Sequence, residues 1–219
     1  MRIQHKAWTL ALLGLLFATP AFSDEGPYVY VTGGAGLAYN ACQSPLIAGA
    51  SCNDKSAVFR AGFGYQYTPM WALEASYGQF GSANASGYGM FNFPAPIGTG
   101  VGSFAWQLKA TGPAVQAVWT LHMTDTFATF VKFGAAYVNY DEYENVFAVS
   151  SNTYWYVAPT ASVNRINPAA GIGLRYDVGP HGTVFVLGEY FGQNNIYNVY
   201  GVGAKVRLVT ASIGLMWRY

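Results

Sequence analysis

The chain has 219 residues, of which only 10% are charged while 17% are aromatic. A soluble surface carries about 25–35% charged positions, so water is a poor candidate for its principal solvent. Eleven Lys and Arg against ten Asp and Glu leave a formal net charge of +1, which gives no basic footprint for nucleic acid.

The chain opens on "MRIQHKAWTLALLGLLFATPAFS", with Arg2 and Lys6 first, an apolar stretch from about Ala7 to Ala18, and small residues at Ala21 and Ser23. This pattern predicts a signal peptide over 1–23, cleaved before Asp24; a spanning helix would need roughly 20 apolar residues. Residues 24–219 then read as one exported domain with no transmembrane helix. Cys42 and Cys52, in "ACQSPLIAGASC", are an even, closely spaced pair with no His or third Cys nearby. In an exported chain they read as a disulfide across a loop rather than as redox or metal chemistry.

Eight segments alternate apolar with polar or small residues, the period-two mark of strands. They are 28–39, 57–68, 71–80, 104–121, 127–140, 166–178, 183–194 and a terminal strand from about Gly203. Connections alternate in length: those around Pro69, at 122–126 and at 179–182 are short, whereas 40–56, 81–103 and 141–165 are long. Short turns at one rim and long loops at the other are the asymmetry of an outer-membrane barrel. The predicted fold is therefore all-β, an eight-stranded antiparallel up-and-down transmembrane β-barrel.

Charge fixes the faces. Arg60 opposes Phe59 and Phe63 in parity, Glu74 lies between Leu73 and Ala75, Lys132 between Val131 and Phe133, Arg175 between Leu174 and Tyr176, and Arg218 between Trp217 and Tyr219; Glu189 opposes Val186 and Tyr190. A Lys or Arg facing lipid at mid-bilayer costs about 2–4 kcal/mol, so the charged face is the lumen. A soluble lipocalin-like barrel would turn large apolar residues inward and charges outward; here the charged face is rich in Gly, Ala and Ser and the other in Phe, Tyr, Trp, Leu and Val. Tyr65, Tyr67, Trp71, Trp119, Phe127, Tyr176, Trp217 and Tyr219 gather at the short-turn end as an interfacial girdle.

The segments "VQAVWTLHMTDTFATFVKFGAAY", "GIGLRYDVGP", "VLGEYFGQN" and "SIGLMWRY" resemble the OmpA-type transmembrane domain, the small OmpA-like or porin-like barrels of the outer membrane of Gram-negative bacteria. The resemblance covers essentially all of 24–219 and includes no soluble peptidoglycan-binding domain. It implies that Ile213, Leu215, Trp217 and Tyr219 form the C-terminal signal read by the barrel-assembly machinery. It also implies a lumen charge network, in which Glu74 and Glu189 match acidic positions and Lys132 a basic one. Val118 stands where that pattern has a basic residue and Arg175 where it has an acidic one. Buried charges persist when paired, so Arg60, Glu74, Lys132 and Glu189 are expected to form a different network here.

No residue set points to catalysis, a cofactor or a metal. His122 and His181 fall in predicted short turns as solvated residues, away from the loops where barrel enzymes acting on lipids place their groups. "GGAG" at 33–36 and "GTGVG" at 98–102 precede no helix and read as strand and loop glycines. Lys109, Lys205 and Arg207 lie ten to twelve residues from Trp119 or Trp217, about one span of 9–11 residues, and face outward at the far rim unless Gly112-Pro113 bulges and changes the register of Lys109. They are expected to contact lipopolysaccharide phosphates. The aromatic loops, with Phe91, Phe93, Tyr154, Trp155 and Tyr156, either meet a host or neighbouring surface or pack on one another. The functional expectation is a filled barrel for envelope structure and adhesion-type loop display, with both termini periplasmic and the long loops extracellular. The alternative is a narrow porin-like channel for small solutes or ions.

Overall fold

The computed structural model describes residues 25–43, 51–92, 99–150, 153–158, 160–197 and 203–219. The predicted signal peptide and Phe93 lie outside the described residues. Ten strands follow in chain order: β1 (Gly26–Tyr39), β2 (Ser51–Asn53), β3 (Lys55–Gln66), β4 (Trp71–Asn92), β5 (Thr99–His122), β6 (Phe127–Ser150), β7 (Thr153–Val157), β8 (Thr160–Val178), β9 (Gly182–Tyr197) and β10 (Gly203–Arg218). Eight long ones pair antiparallel in the order β1-β3-β4-β5-β6-β8-β9-β10. β10 pairs back onto β1 from Tyr28↔Arg218 to Tyr39↔Arg207, which closes the barrel. The short β2 and β7 add to β4 and β6, past the ends of β3 and β8.

Alternation sorts the side chains as the charge argument requires. Phe59, Phe63, Leu73, Phe133, Ile172, Val186, Ile213 and Leu215 are exposed on the outer face, while Arg60, Glu74, Lys132, Arg175 and Glu189 are buried. Two bulges break the parity. The register of β4 against β5 shifts between Gln79 and Gly81, and that of β9 against β10 shifts opposite Arg207 and Val209. An extra residue turns inward at each, so that Phe80 with Gly81, and Phe191 with Gly192, are buried in succession. Gly192 takes φ 73° there, a left-handed conformation suited to glycine. The two phenyl rings meet in the lumen with centroids 4.4 Å apart.

The lumen holds larger groups than its Gly, Ala and Ser content suggests, and cross-strand register explains how. Tyr28 pairs with Gly64 and Tyr30 with Gly62, Phe130 with Gly173, and Phe185 with Gly214. Each ring lies across the glycine opposite: a Cβ on Gly64 would stand 2.3 Å from Cζ of Tyr28, and one on Gly214 2.2 Å from Cζ of Phe185. A glycine on one strand thus makes the space for an aromatic ring on the next. The interior of an eight-stranded barrel is just wide enough to be filled in this way.

Segments 81–103 and 141–165, expected to be loops, are largely strand. β4, β5 and β6 run for 22, 24 and 24 residues, and the β4–β5 ladder continues to Asn92↔Thr99. Composition rich in Gly and Ser suggested loops, yet the ladder satisfies the backbone hydrogen bonds beyond the barrel rim.

Candidate functional site

Midway along the barrel the four charges expected to form a network pair across the lumen. Arg60 on β3 bonds Glu189 on β9, and Lys132 on β6 bonds Glu74 on β4. Neutral groups complete the layer: Gln116 Nε2 donates to Glu189 Oε1 at 3.2 Å, and the Tyr28 hydroxyl donates to Glu74 Oε1 at 2.8 Å. Lys132 also lies 4.7 Å from the Tyr30 ring centroid and 5.6 and 5.8 Å from those of Phe130 and Phe185, a cage of ring faces around the ammonium. Arg60 lies 5.3 Å from the Phe191 ring, so the bulge-borne phenyls cover one side of the charged layer. Val118 pairs in register with Lys132 and packs with Tyr28, Tyr30, Phe130 and Phe185. Gln116 was detectable in the sequence as a polar residue on the inward parity of its strand; the partnerships were not, because they depend on register.

Toward the turn end, Arg175 Nη2 meets His122 Nε2 at 2.8 Å and Arg218 Nη2 reaches Asp177 Oδ1 at 3.2 Å. His122 is thus the last residue of β5 and engages a lumen arginine, a contact absent from its reading as a solvated turn residue. His181 does lie in a turn, where its ring stacks on Trp217 at 5.6 Å. A cavity of about 10 Å³ lined by Tyr28, Glu74, Lys132 and Arg175 has room for about one water.

At the opposite end Cys42 and Cys52 form a disulfide, Cα atoms 5.8 Å apart. Cys42 lies within a short 3₁₀ turn, Ala41–Gln43. Ala41 is buried in the cluster containing Phe80, Leu108, Tyr140, Phe191 and Leu208, so the residue before Cys42 packs onto the upper lumen. Beyond that cluster, Glu142 and Glu144 are buried on the inward parity of β6. Trp106 Nε1 donates to Glu142 Oε1 at 2.6 Å, and among the described residues neither carboxylate has a salt-bridge partner. Burial raises the pKa of Glu142 above the ordinary carboxylate value, although the Trp106 bond opposes the rise. Burial and then the neighbouring charge of Glu142 push Glu144 up to about 7.

Lys109, Lys205 and Arg207 are all exposed. Leu108, Ala110, Gly112 and Ala114 are successively buried on alternate positions, so Gly112-Pro113 leaves the parity of Lys109 unchanged. The three cations do not, however, form one group: β5 and β10 stand four strands apart in the ring of eight, and Lys109 lies across from Asp141 on β6. A cation missed by the sequence argument, Lys55, is exposed on β3 beside β1. Ile213, Leu215 and Trp217 project outward from the closing strand, and the Tyr219 N–H reaches the Pro27 carbonyl at 3.3 Å. Tyr156 is exposed.

The profile of the OmpA-like transmembrane domain matches residues 25–219. Among solved structures, outer membrane protein OprG from Pseudomonas aeruginosa is 14% identical, with 89% of this chain and 96% of that one covered and a TM-score of 0.49. Neisserial surface protein A is 13% identical, covering 89% and 97%, with a TM-score of 0.45. Ail, the attachment invasion locus protein of Yersinia pestis, solved in complex with the heparin analogue sucrose octasulfate, is 12% identical, covering 89% and 99%, with a TM-score of 0.42. No curated protein matches the sequence.

Two consequences are measurable. Glu74→Ala leaves the Lys132 ammonium buried without its carboxylate, so equilibrium urea unfolding of the refolded barrel should show a loss of about 3–5 kcal/mol; the Glu74→Gln/Lys132→Met double variant should recover most of it. At the mouth, the folded state holds a proton on Glu144 that the unfolded chain releases near the ordinary carboxylate pKa of 4.5. Stability from that proton is present below the ordinary value and lost as pH rises through about 7. Unfolding free energy should therefore fall by roughly 1–2 kcal/mol between pH 5 and pH 8, and Glu144→Gln should flatten that dependence.

Proposed function

This chain belongs to the OmpA-like transmembrane domain family and is an outer-membrane β-barrel, and from that premise we propose that it is a filled, non-catalytic barrel that supports the envelope and holds a rigid β-platform clear of the membrane for surface contacts. The observation that carries the reading is the overshoot of three adjacent strands. A spanning strand needs about 9–11 residues, and β4, β5 and β6 have 22, 24 and 24. The excess of about a dozen residues, tilted as barrel strands are, extends roughly 30 Å beyond the apolar band. Tyr88, Met90, Tyr143, Phe147 and Tyr156 are exposed along it. Side chains presented on a hydrogen-bonded ladder lose little freedom on contact, which favours binding.

In this reading the platform faces the cell exterior, both ends of the domain face the periplasm, and Ile213, Leu215, Trp217 and Tyr219 meet the barrel-assembly machinery during insertion. The paired charge layer, with Phe80 and Phe191 above it, supports a closed lumen over a narrow channel. His122 and His181 contact Arg175 and Trp217 at the turn end, a placement that favours structural roles for both.

Planar-bilayer recordings of the purified protein should show no reproducible unitary steps; regular conductance would replace this reading with the channel. Replacing Tyr88, Met90, Tyr143, Phe147 and Tyr156 with Ser should leave heat-modifiable gel mobility unchanged while lowering attachment of expressing bacteria to matrix-coated surfaces several-fold. Unchanged attachment would remove the display role.

A further inference from the structure

The rim at β10, β1 and β3 has a different chemistry from the platform. Lys205 and Arg207 on β10 and Lys55 on β3 are exposed on either side of β1, where Arg207 pairs with Tyr39 and Lys55 with Leu37. At two strand spacings and two residues of offset, Arg207 and Lys55 stand about 10–12 Å apart. Their rungs carry no acid: Arg207 also faces Gln193 and Lys205 faces Asn195, whereas Lys109 across the barrel faces Asp141. Arg207 Nε donates to Gln193 Oε1 at 2.6 Å, which holds the plane of a guanidinium that has five donors in all.

Below this row the outer wall becomes shallow on the same strands. One row of register runs Gly188↔Ala211, Ala211↔Ala35 and Ala35↔Ala57 across β9, β10, β1 and β3. Bulkier residues bound it: Leu37, Val209 and Tyr190 on the cationic side, Ile213 and Val186 on the other. The depression opens into an apolar groove of about 710 Å³ lined by Gly33, Gly188, Ala211 and Ile213, which descends toward Leu174 on β8. Cations at the rim and a trough leading from them into the apolar band are two halves of one amphiphile's footprint.

We propose that this flank is a binding site for the bisphosphorylated, multiply acylated glycolipid of the outer leaflet, lipopolysaccharide. Lys55, Lys205 and Arg207 hold its phosphates, and one acyl chain lies in the groove past Ala35, Ala211 and Gly188. Arg207 and Lys55 about 10–12 Å apart, with Lys205 two residues further out and about 16 Å from Lys55, suit a headgroup with two separated phosphates better than a phospholipid with one. The guanidinium of Arg207 offers paired donors to phosphate oxygens, and the acyl chain fills a depression that bulkier side chains would close. The inference rests on the orientation proposed above, with the long-strand end outward. Maleimide labelling of Tyr156→Cys in intact cells reads that orientation separately.

The test is native mass spectrometry of the refolded full barrel in detergent with hexa-acylated bisphosphoryl lipid A. The wild type should retain one lipid, and Lys55→Gln/Lys205→Gln/Arg207→Gln should weaken retention at least tenfold, with Lys109→Gln as the unaffected control. Monophosphoryl lipid A and phosphatidylglycerol should be held less tightly. Ala211→Phe, which fills the groove and leaves the cations in place, should also release the lipid while gel mobility shows a folded barrel. Equal retention by the triple variant, or equal loss in Lys109→Gln, would overturn the site.

Discussion

Closing eight strands into a cylinder makes an unpaired charge in its interior costly. Arg60, Glu74, Lys132 and Glu189 are each almost wholly buried, and an isolated ion withdrawn from water costs several kcal/mol even after relaxation. The register must therefore bring opposite charges together across the lumen, β3 to β9 and β4 to β6. A one-residue slip of β3, β4, β6 or β9 would turn an ionic residue outward and a bulky apolar or aromatic one inward. The charged layer thus acts as a register lock, and the bulges and the aromatic–glycine pairs are arranged around it.

The rings serve the same constraint. Tyr28 and Gln116 supply hydrogen bonds to the two carboxylates, while the faces of Tyr30, Phe130 and Phe185 surround the Lys132 ammonium. Those four rings fit because a glycine stands opposite each of them. Phe80 and Phe191 reach the layer through an extra residue in β4 and in β9, so irregular strand geometry is the means by which two large apolar groups cover buried charge from the mouth side.

Period two in the sequence was enough to identify eight strands, their outer face and the side on which the charges lie, because one face had to exclude every ionic residue. Its reach ended where parity inverts: nothing in "YGQFGS" or "YFGQN" announces that Phe80 and Phe191 turn inward together with the following glycine. It ended also at 81–103 and 141–165, where small and polar residues resemble loop composition although the ladder persists. Pair identities were out of reach for a third reason, since each strand's offset is set by the whole closed ring. That is why Lys109 was grouped with Lys205 and Arg207, from which it is separated by half the circumference, and why Lys55 was passed over.

The two sides of the rim differ as a result of unequal strand lengths. β4, β5 and β6 continue past the barrel as a wall, whereas β1 ends at Tyr39 and Ala41 just after it packs into the buried cluster of the upper lumen. On the tall side, the inward Glu142 and Glu144 and the outward aromatics of the wall share the same ladder, so its lower rungs are fixed by packing and its upper rungs are free to present side chains. On the low side, Lys55, Lys205 and Arg207 are exposed around the end of β1. A paired charge layer permits this division: it fixes the cylinder whatever the rim carries, so each flank can hold its own chemistry without disturbing the register that both depend on.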